Sequence, residues 1–286
     1  HTAPSFEQLE KLKDTRDADL IGRALVDPRR NRGRGAQSNA PGRFDSESRE
    51  AFDDGWGQVE ALKPFETIEH VERARSIITR NESPDIGFDR SINAYRGCEH
   101  GCSYCFARPS HAFLGHSAGI EFERDIYVKA NAAEALRAEL AAKTYRPKPI
   151  AMGTNTDPYQ PAERKHRLTR SILEVMLETH HPVMITTKSA LICRDLDLLG
   201  ALAGEGLVKV AISMTSMDHK LSRKMEPRAS SPARRLEAIR LLSEAGVPVS
   251  VFASPMIPAI NDMELERILD AAKAQGAVGA SMILLR

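Results

Sequence analysis

The sequence predicts an α/β chain: a partial, open-sided (β/α)6 barrel of the TIM type, preceded by an arginine-rich N-terminal extension. Three observations carry that expectation. Short β-branched apolar runs alternate with amphipathic stretches from about residue 86 onward, the pattern of parallel strands joined by helical crossovers. Polar, chemistry-bearing residues recur just after successive runs, at 98–105, 154–157, 186–189 and 213–216, and barrels build their sites on strand carboxyl ends. No helical stretch follows the last apolar run, 277–285, so the ring is expected to lack a sixth helix. Periodicity by itself also allows an open doubly wound sheet; the gathering of polar groups on one rim favours the barrel. The expected division is a partly irregular extension over 1–85 and the barrel core over 86–286.

Within the extension, residues 22–49 carry arginines at 23, 29, 30, 32, 34, 43 and 49 against Asp27, Asp45 and Glu47. Interspersed Gly, Pro, Ser and Asn prevent this segment from building a core. It reads as a solvated or wrapping tail before it reads as a nucleic-acid arm. The first core strand, 91–95, runs straight into a cysteine-rich loop. Asn131 opens a helix that continues to Lys143, with Glu134 placed for a capping box. Strand 149–153 follows, then a polar loop and a helix over 168–179. Strand 183–187 is backed by a helix over 194–203. After strand 208–214, Ser231 and Pro232 form an N-cap with proline at the first helical position, and Gly246 closes that helix. Strand 247–253 and a helix over 262–274 complete the fifth unit.

At 286 residues the chain has room for one large domain plus an extension. Its formal net charge of +1 offers no general attraction to polyanions. No stretch approaches the roughly 20 apolar residues of a membrane span, and residues 1–4 open a polar segment without the apolar heart of a signal peptide. The four cysteines, three crowded and one distant, do not make a disulfide framework. The expected compartment is therefore the reducing cytoplasm, with no membrane partner.

Cys98, Cys102 and Cys105 are spaced C-x3-C-x2-C, with Tyr104 just before the last sulfur. Three thiolates on one short loop can hold three corners of a cubane iron–sulfur cluster. The fourth iron then keeps an open position, which suits reductive radical chemistry. A zinc site that recruits His100, His111 or His116 is the competing use of these sulfurs, but the paired knuckles usual for zinc are missing.

The loop resembles the signature of the radical S-adenosylmethionine (radical SAM) superfamily, C-x3-C-x-aromatic-C after the first barrel strand. The resemblance implies that Cys98, Cys102 and Cys105 ligate a [4Fe–4S] cluster, and that S-adenosylmethionine chelates the fourth iron through its amino and carboxylate groups. One electron, delivered by an external reductant such as flavodoxin or ferredoxin, then cleaves the cofactor to methionine and a 5′-deoxyadenosyl radical. Tyr104 would flank the adenine. Residues 92–110, 153–163, 186–189 and 226–228 are similar to the spore photoproduct lyase-like branch, whose members are often labelled DNA repair photolyases. That likeness places Thr154, Asn155, Thr156 and Asp157 at the methionine end of the cofactor, Lys188 in contact with it, Ser213 at the ribose hydroxyls and Arg228 as a carboxylate partner. Each has a plainer reading: a turn, a surface lysine, a hydroxyl satisfied by backbone, and a surface pair of Arg228 with Glu226.

One departure limits the analogy. Thr154 stands where the branch carries the cysteine that returns a hydrogen atom to the product, and no cysteine lies between Cys105 and Cys193. Cys193 itself reads as a small packed apolar residue. The expected function is a radical SAM enzyme whose substrate class is nucleic acid by analogy alone. A peptide- or protein-modifying radical enzyme and a non-catalytic metal-binding module are the alternatives. Oligomeric state is not legible.

Overall fold

The computed structural model describes residues 33–37, 39, 65–84 and 86–285. The expected extension therefore falls largely outside the described residues. In chain order the strands are β1 (Ile68–Glu72), β2 (Ile78–Arg80), β3 (Arg90–Ile92), β4 (Tyr95–Arg96), β5 (Asp125–Lys129), β6 (Ile150–Met152), β7 (Val183–Thr187), β8 (Val208–Ser213), β9 (Val249–Met256) and β10 (Gly279–Leu284). The α-helices are α1 (Glu121–Arg124), α2 (Ala132–Leu140), α3 (Glu163–His166), α4 (Leu168–Glu178), α5 (Leu196–Gly204), α6 (His219–Met225), α7 (Pro232–Glu244) and α8 (Leu265–Ala274).

The main sheet runs β10-β9-β8-β7-β6-β3-β2. Its six strands from β3 to β10 pair in parallel, and β2 closes the other edge antiparallel to β3. All six expected strands are present: β7 has the expected bounds, β6, β8 and β10 are shorter by one or two residues at an end, β3 stops three residues sooner and β9 runs three residues further. One face of the centre is β-branched and buried: Val183 pairs with Val208, Ile185 with Val210 and Thr187 with Ile212 across β7 and β8, while Met184, Thr186 and Lys209 alternate onto the other, less buried face. Ile172, Leu173, Val175 and Met176 of α4, Leu199 and Leu202 of α5, and Ile239 and Leu242 of α7 pack with these strands into one continuous core. Each such side chain contributes about 1.5–3 kcal/mol when fully buried. The crossovers return every parallel strand in the same direction, so their carboxyl ends gather on one rim.

A second, three-stranded sheet, β1-β5-β4, flanks the cysteine loop. Its strands were not legible as such. β1 lies in the polar stretch assigned to the extension, and β4 is two residues long.

Two expected caps are replaced. Asn131 does not cap α2 with its side chain; its amide instead accepts from the Ala74 N–H at 2.8 Å and donates to the Ala74 carbonyl at 2.9 Å, joining the segment after β1 to the helix start. Glu134, released from the capping box, pairs with Arg73 at 2.9 Å. Ser231 likewise makes no side-chain cap, although Pro232 opens α7 as expected. No helix among the described residues is long and apolar enough to cross a membrane.

Candidate functional site

The cysteine loop leaves β4 at Gly97. Gly97 and Gly101 immediately precede Cys98 and Cys102, and both have left-handed backbones, with φ of 79° and 67°. A Cβ at Gly97 would stand 2.8 Å from the Phe122 carbonyl oxygen, and one at Gly101 the same distance from Glu123 Oε2. Glycine is required at both by conformation and by space. The Cys98 N–H donates to the Phe122 carbonyl at 2.9 Å, and Cys105 N–H closes a turn onto Cys102 O at 3.3 Å. Cys98 is buried beside Ala107 and Phe122, Cys102 and Cys105 are half-buried, and all three thiols are free. Burial pushes the Cys98 thiol well above its ordinary value. Burial, aided by the Glu226 charge and opposed by Lys188, pushes Cys102 up to about 12. Metal loading must therefore displace protons from these sulfurs.

Two amides fix the loop to the strand ends. Gln160, fully buried, accepts from the Glu99 N–H at 3.0 Å and donates to the Gly97 carbonyl at 3.1 Å, bracketing Cys98 on both sides. Asn93, just beyond β3, uses its Oδ1 to receive the N–H groups of Asn155 and Thr156 at 3.0 and 3.2 Å. Its Nδ2 donates to Thr154 Oγ1 at 3.1 Å. Asp157 then spans from this loop to the end of β7, accepting from Thr187 Oγ1 at 2.6 Å and from the Lys188 N–H at 2.8 Å. His100 Nδ1 lies 3.3 Å from Oδ2, the oxygen that also receives the Lys188 N–H. Burial raises the Asp157 pKa, but the His100 charge and these hydrogen bonds outweigh it and hold the carboxyl well below the ordinary range.

Two glutamate–arginine pairs, each with a buried carboxylate, flank the loop. Glu123 receives Arg108 Nη2 at 2.6 Å, and the same nitrogen donates to the Cys102 carbonyl at 2.7 Å. Glu123 also receives the N–H groups of Gly35 and Ala36 at 3.0 and 2.6 Å. Arg34, 7% exposed, donates to the Glu123 carbonyl and to Thr67 Oγ1. A Cβ at Gly35 would lie 1.7 Å from the Gly101 carbonyl oxygen. This part of the arginine-rich segment thus wraps the cysteine loop; its other arginines lie outside the described residues. On the opposite flank Glu226 bonds the Tyr104 hydroxyl with one oxygen and Arg235 with the other. Arg235, 1% exposed, also donates to the carbonyls of Ser213 and Ser230 at 2.9 and 2.7 Å.

The structure interlocks most of the residues singled out from sequence. Lys188 places its ammonium 5.9 Å from the Tyr104 ring centre, with no ion-pair partner among the described residues. Its charge is opposed by burial but favoured by Cys102, Glu226 and Asp157, and the net effect raises its pKa. Ser213 is buried and its hydroxyl donates weakly to the Ser254 carbonyl at 3.4 Å, the plainer reading of that residue. The plainer reading of Arg228, a surface pair with Glu226, does not hold: the deeper Arg235 takes Glu226, and Arg228 turns to Glu99 at 2.8 Å. The Arg228 N–H still joins the cysteine loop at the His100 carbonyl, 3.1 Å away. Cys193 packs half-buried against the main core, as expected.

The zinc alternative finds no histidine to complete it. His100 faces Asp157, His111 Nε2 meets the Asp125 carbonyl at 3.0 Å, and His116 Nε2 meets the Tyr127 hydroxyl at 2.8 Å. Among the described residues no three His, Cys, Asp or Glu side chains converge to hold a single metal ion. A cubane needs no such convergence, because each thiolate binds its own iron. Three free thiols beside an unpaired ammonium fit an anionic thiolate cluster and a carboxylate-bearing cofactor.

A model of the Radical SAM superfamily matches residues 92–272. The chain belongs to the radical SAM superfamily. Radical SAM enzymes use a [4Fe–4S] cluster and S-adenosylmethionine. An uncharacterized protein of Mycobacterium tuberculosis, Rv2578c, is 38% identical over 199 residues, covering 69% of this chain and 58% of its own length. An uncharacterized protein of Methanocaldococcus jannaschii is 29% identical over 174 residues, covering 60% and 62%. The chain thus spans less than two thirds of these relatives. Among solved structures, a spore photoproduct lyase variant with bound AdoMet and dinucleoside spore photoproduct shares the fold with a TM-score of 0.54. It is 17% identical and covers 76% of this chain and 61% of that one.

Several residues that shape this radical SAM site escaped the sequence reading: Asn93, Gln160, Glu123, Arg108, Arg34 and Arg235. Asn93 and Gln160 stand inside the stretches that carry the resemblance, yet a single amide has no spacing signature. The signal for Arg235 was weaker still, one arginine among several on a helix.

Proposed function

We propose that this chain is an enzyme that holds a [4Fe–4S] cluster on Cys98, Cys102 and Cys105, binds S-adenosylmethionine beside it and acts on nucleic acid. The observation that carries the reading is the loop of three free thiols, held by Gln160 from the segment after β6 and joined through Tyr104, Glu226 and Arg235 to Ser213 at the end of β8, with the Lys188 ammonium over the Tyr104 ring. When bound, the cluster and cofactor supply reductive cleavage to a 5′-deoxyadenosyl radical.

The chain's own residues position and shield. Gln160 and the Arg108 fork fix the peptides around Cys98 and Cys102, so the thiols meet the cluster with little reorganisation. Lys188 supplies positive charge for thiolate and carboxylate groups. Tyr104, oriented by Glu226, offers a ring face for the adenine. Thr154, Asn155, Thr156 and Asp157 form the wall for the methionine end, Ser213 lies on the ribose side and would exchange its weak bond to the Ser254 carbonyl for one to a ribose hydroxyl, and Arg228 remains the carboxylate partner at the loop edge. Thr154 cannot return a hydrogen atom as a thiol would, so the product's hydrogen comes from elsewhere.

The reading includes a partial barrel over 86–286, an extension over 1–85, a cytoplasmic setting and an external one-electron reductant. Anaerobic reconstitution with iron and sulfide, reduction with dithionite and addition of S-adenosylmethionine is expected to release 5′-deoxyadenosine. The variant with Cys98, Cys102 and Cys105 all replaced by alanine is expected to release none. Equal release by both would overturn the assignment. Nucleic acid as substrate requires that DNA or RNA incorporate label from deuterated cofactor, or return label to 5′-deoxyadenosine; a label that moves only to peptide supports the protein-modifying alternative.

A further inference from the structure

We infer that α6 is the docking face for an acidic one-electron carrier protein. The inference rests on the cluster assignment above and names the surface through which that cluster is reduced. α6 exposes His219, Lys220, Arg223 and Lys224. Lys220, Arg223 and Lys224 have no ion-pair partner among the described residues. The two nearest acids along the chain offset them only in part. Asp218, exposed at the helix start, offsets part of the Lys220 charge while its Oδ1 accepts from the N–H groups of Lys220 and Leu221, which leaves Arg223 and Lys224 as the excess; Glu226 is buried against Arg235 and Tyr104. With the chain's net charge at +1, this is a local positive face on a nearly neutral molecule.

Its position is what distinguishes it. The last residue of α6, Met225, accepts from the Ser103 N–H at 2.9 Å, and Ser103 follows Cys102 directly. Three residues on, Arg228 N–H bonds the His100 carbonyl. The helix is seven residues long, about 10 Å, so its cations sit within one short helix of a hydrogen bond into the cluster loop. Phe106, next after Cys105, is 81% exposed and supplies a bare apolar contact beside the same loop. Charged rim and apolar centre are the usual parts of a transient protein interface.

A polyanionic nucleic acid would also be drawn to these cations, but it gains nothing from a hydrogen-bonded path to a cluster ligand. An electron carrier needs that path. In the step itself one electron leaves the reduced carrier and enters the oxidised cluster; no bond or proton has to move.

The test uses the reconstituted protein with reduced flavodoxin as the probe, and a variant carrying Lys220→Glu, Arg223→Glu and Lys224→Glu, all at exposed positions. A control carries Lys220→Arg, Arg223→Lys and Lys224→Arg. Flavodoxin binding is measured by calorimetry at low and physiological salt, and cofactor cleavage is driven in parallel by flavodoxin and by dithionite. Charge reversal is expected to weaken binding and the flavodoxin-driven rate by about tenfold, to abolish the salt dependence of binding and to leave the dithionite-driven rate unchanged. The control should behave as wild type. Unchanged flavodoxin binding overturns the inference, as does an equal loss with both reductants. Retained flavodoxin binding with lost oligodeoxynucleotide binding reassigns the face to nucleic acid. If dithionite drives no cleavage in wild type, the cluster reading fails while the binding arm still decides the docking face.

Discussion

On one flank of the cysteine loop, Glu123 and Arg108 hold main chain, the carbonyl of Cys102; on the other, Glu226 and Arg235 hold a side chain, the hydroxyl of Tyr104. The Glu123 side is assembled from the loop's own continuation and from residues 34–36, elements on the molecule's flank. The Glu226 side is built into the sheet, because Arg235 reaches the Ser213 carbonyl at the end of β8. The difference separates two tasks. The first pair shapes the loop that carries the thiols. The second aligns the ring that faces the cofactor, and ties it to the core.

The comparison breaks most readily at Arg235. Arg235→Ala leaves the Glu226 carboxylate buried without its cation and is expected to cost about 3–5 kcal/mol of stability in urea unfolding. Replacing Glu226 and Arg235 together by methionine should recover much of that loss, because no buried charge remains. A single variant that costs nothing would show that the pair is solvated and the contrast wrong.

The Glu123 flank is sharpened by pH. Behind Phe122, His111 has a buried Nδ1 without a partner, and burial lowers its pKa to about 4. In the unfolded chain histidine protonates near pH 6.5. The unfolded state therefore takes up the proton first, and stability falls as pH drops from about 6.5 toward 4, by about 3 kcal/mol from this group. His111→Gln should flatten that part of the stability–pH curve; an unchanged slope would mean that His111 is hydrated.

Smaller effects follow nearer the loop. Tyr104→Phe removes one donor from Glu226 and should cost about 1 kcal/mol, while weakening S-adenosylmethionine binding more than it slows the loaded enzyme. Gly35→Ala forces a Cβ against the Gly101 carbonyl. It is expected to release residues 33–37 locally, seen as faster trypsin cleavage after Arg34 with little change in global unfolding. A large global loss would place this segment in the core and erase the distinction between the flanks.

What was legible in the sequence follows the same divide. Among the parallel strands β7, β8 and β9 announced themselves through β-branched runs, β3, β6 and β10 through shorter apolar runs in step with the alternation, and the thiols through tight spacing. The second sheet did not, because β1 and β5 mix charged and apolar residues over five positions each. Glu226 was noticed beside Arg228, but sequence adjacency suggested the wrong partner; burial selected Arg235 nine positions away on the next helix. Glu123, 87 residues from Ala36, depends on tertiary contact that no local pattern reports.

The most direct test of the central claim, that these two grips present three thiolates and leave one iron open, is electron paramagnetic resonance of the reduced, reconstituted protein before and after S-adenosylmethionine is added. A reduced-cluster signal that changes on cofactor addition, and is absent when Cys98, Cys102 and Cys105 are replaced by alanine, is the predicted result. A signal indifferent to the cofactor, or one that survives the triple replacement, would contradict it.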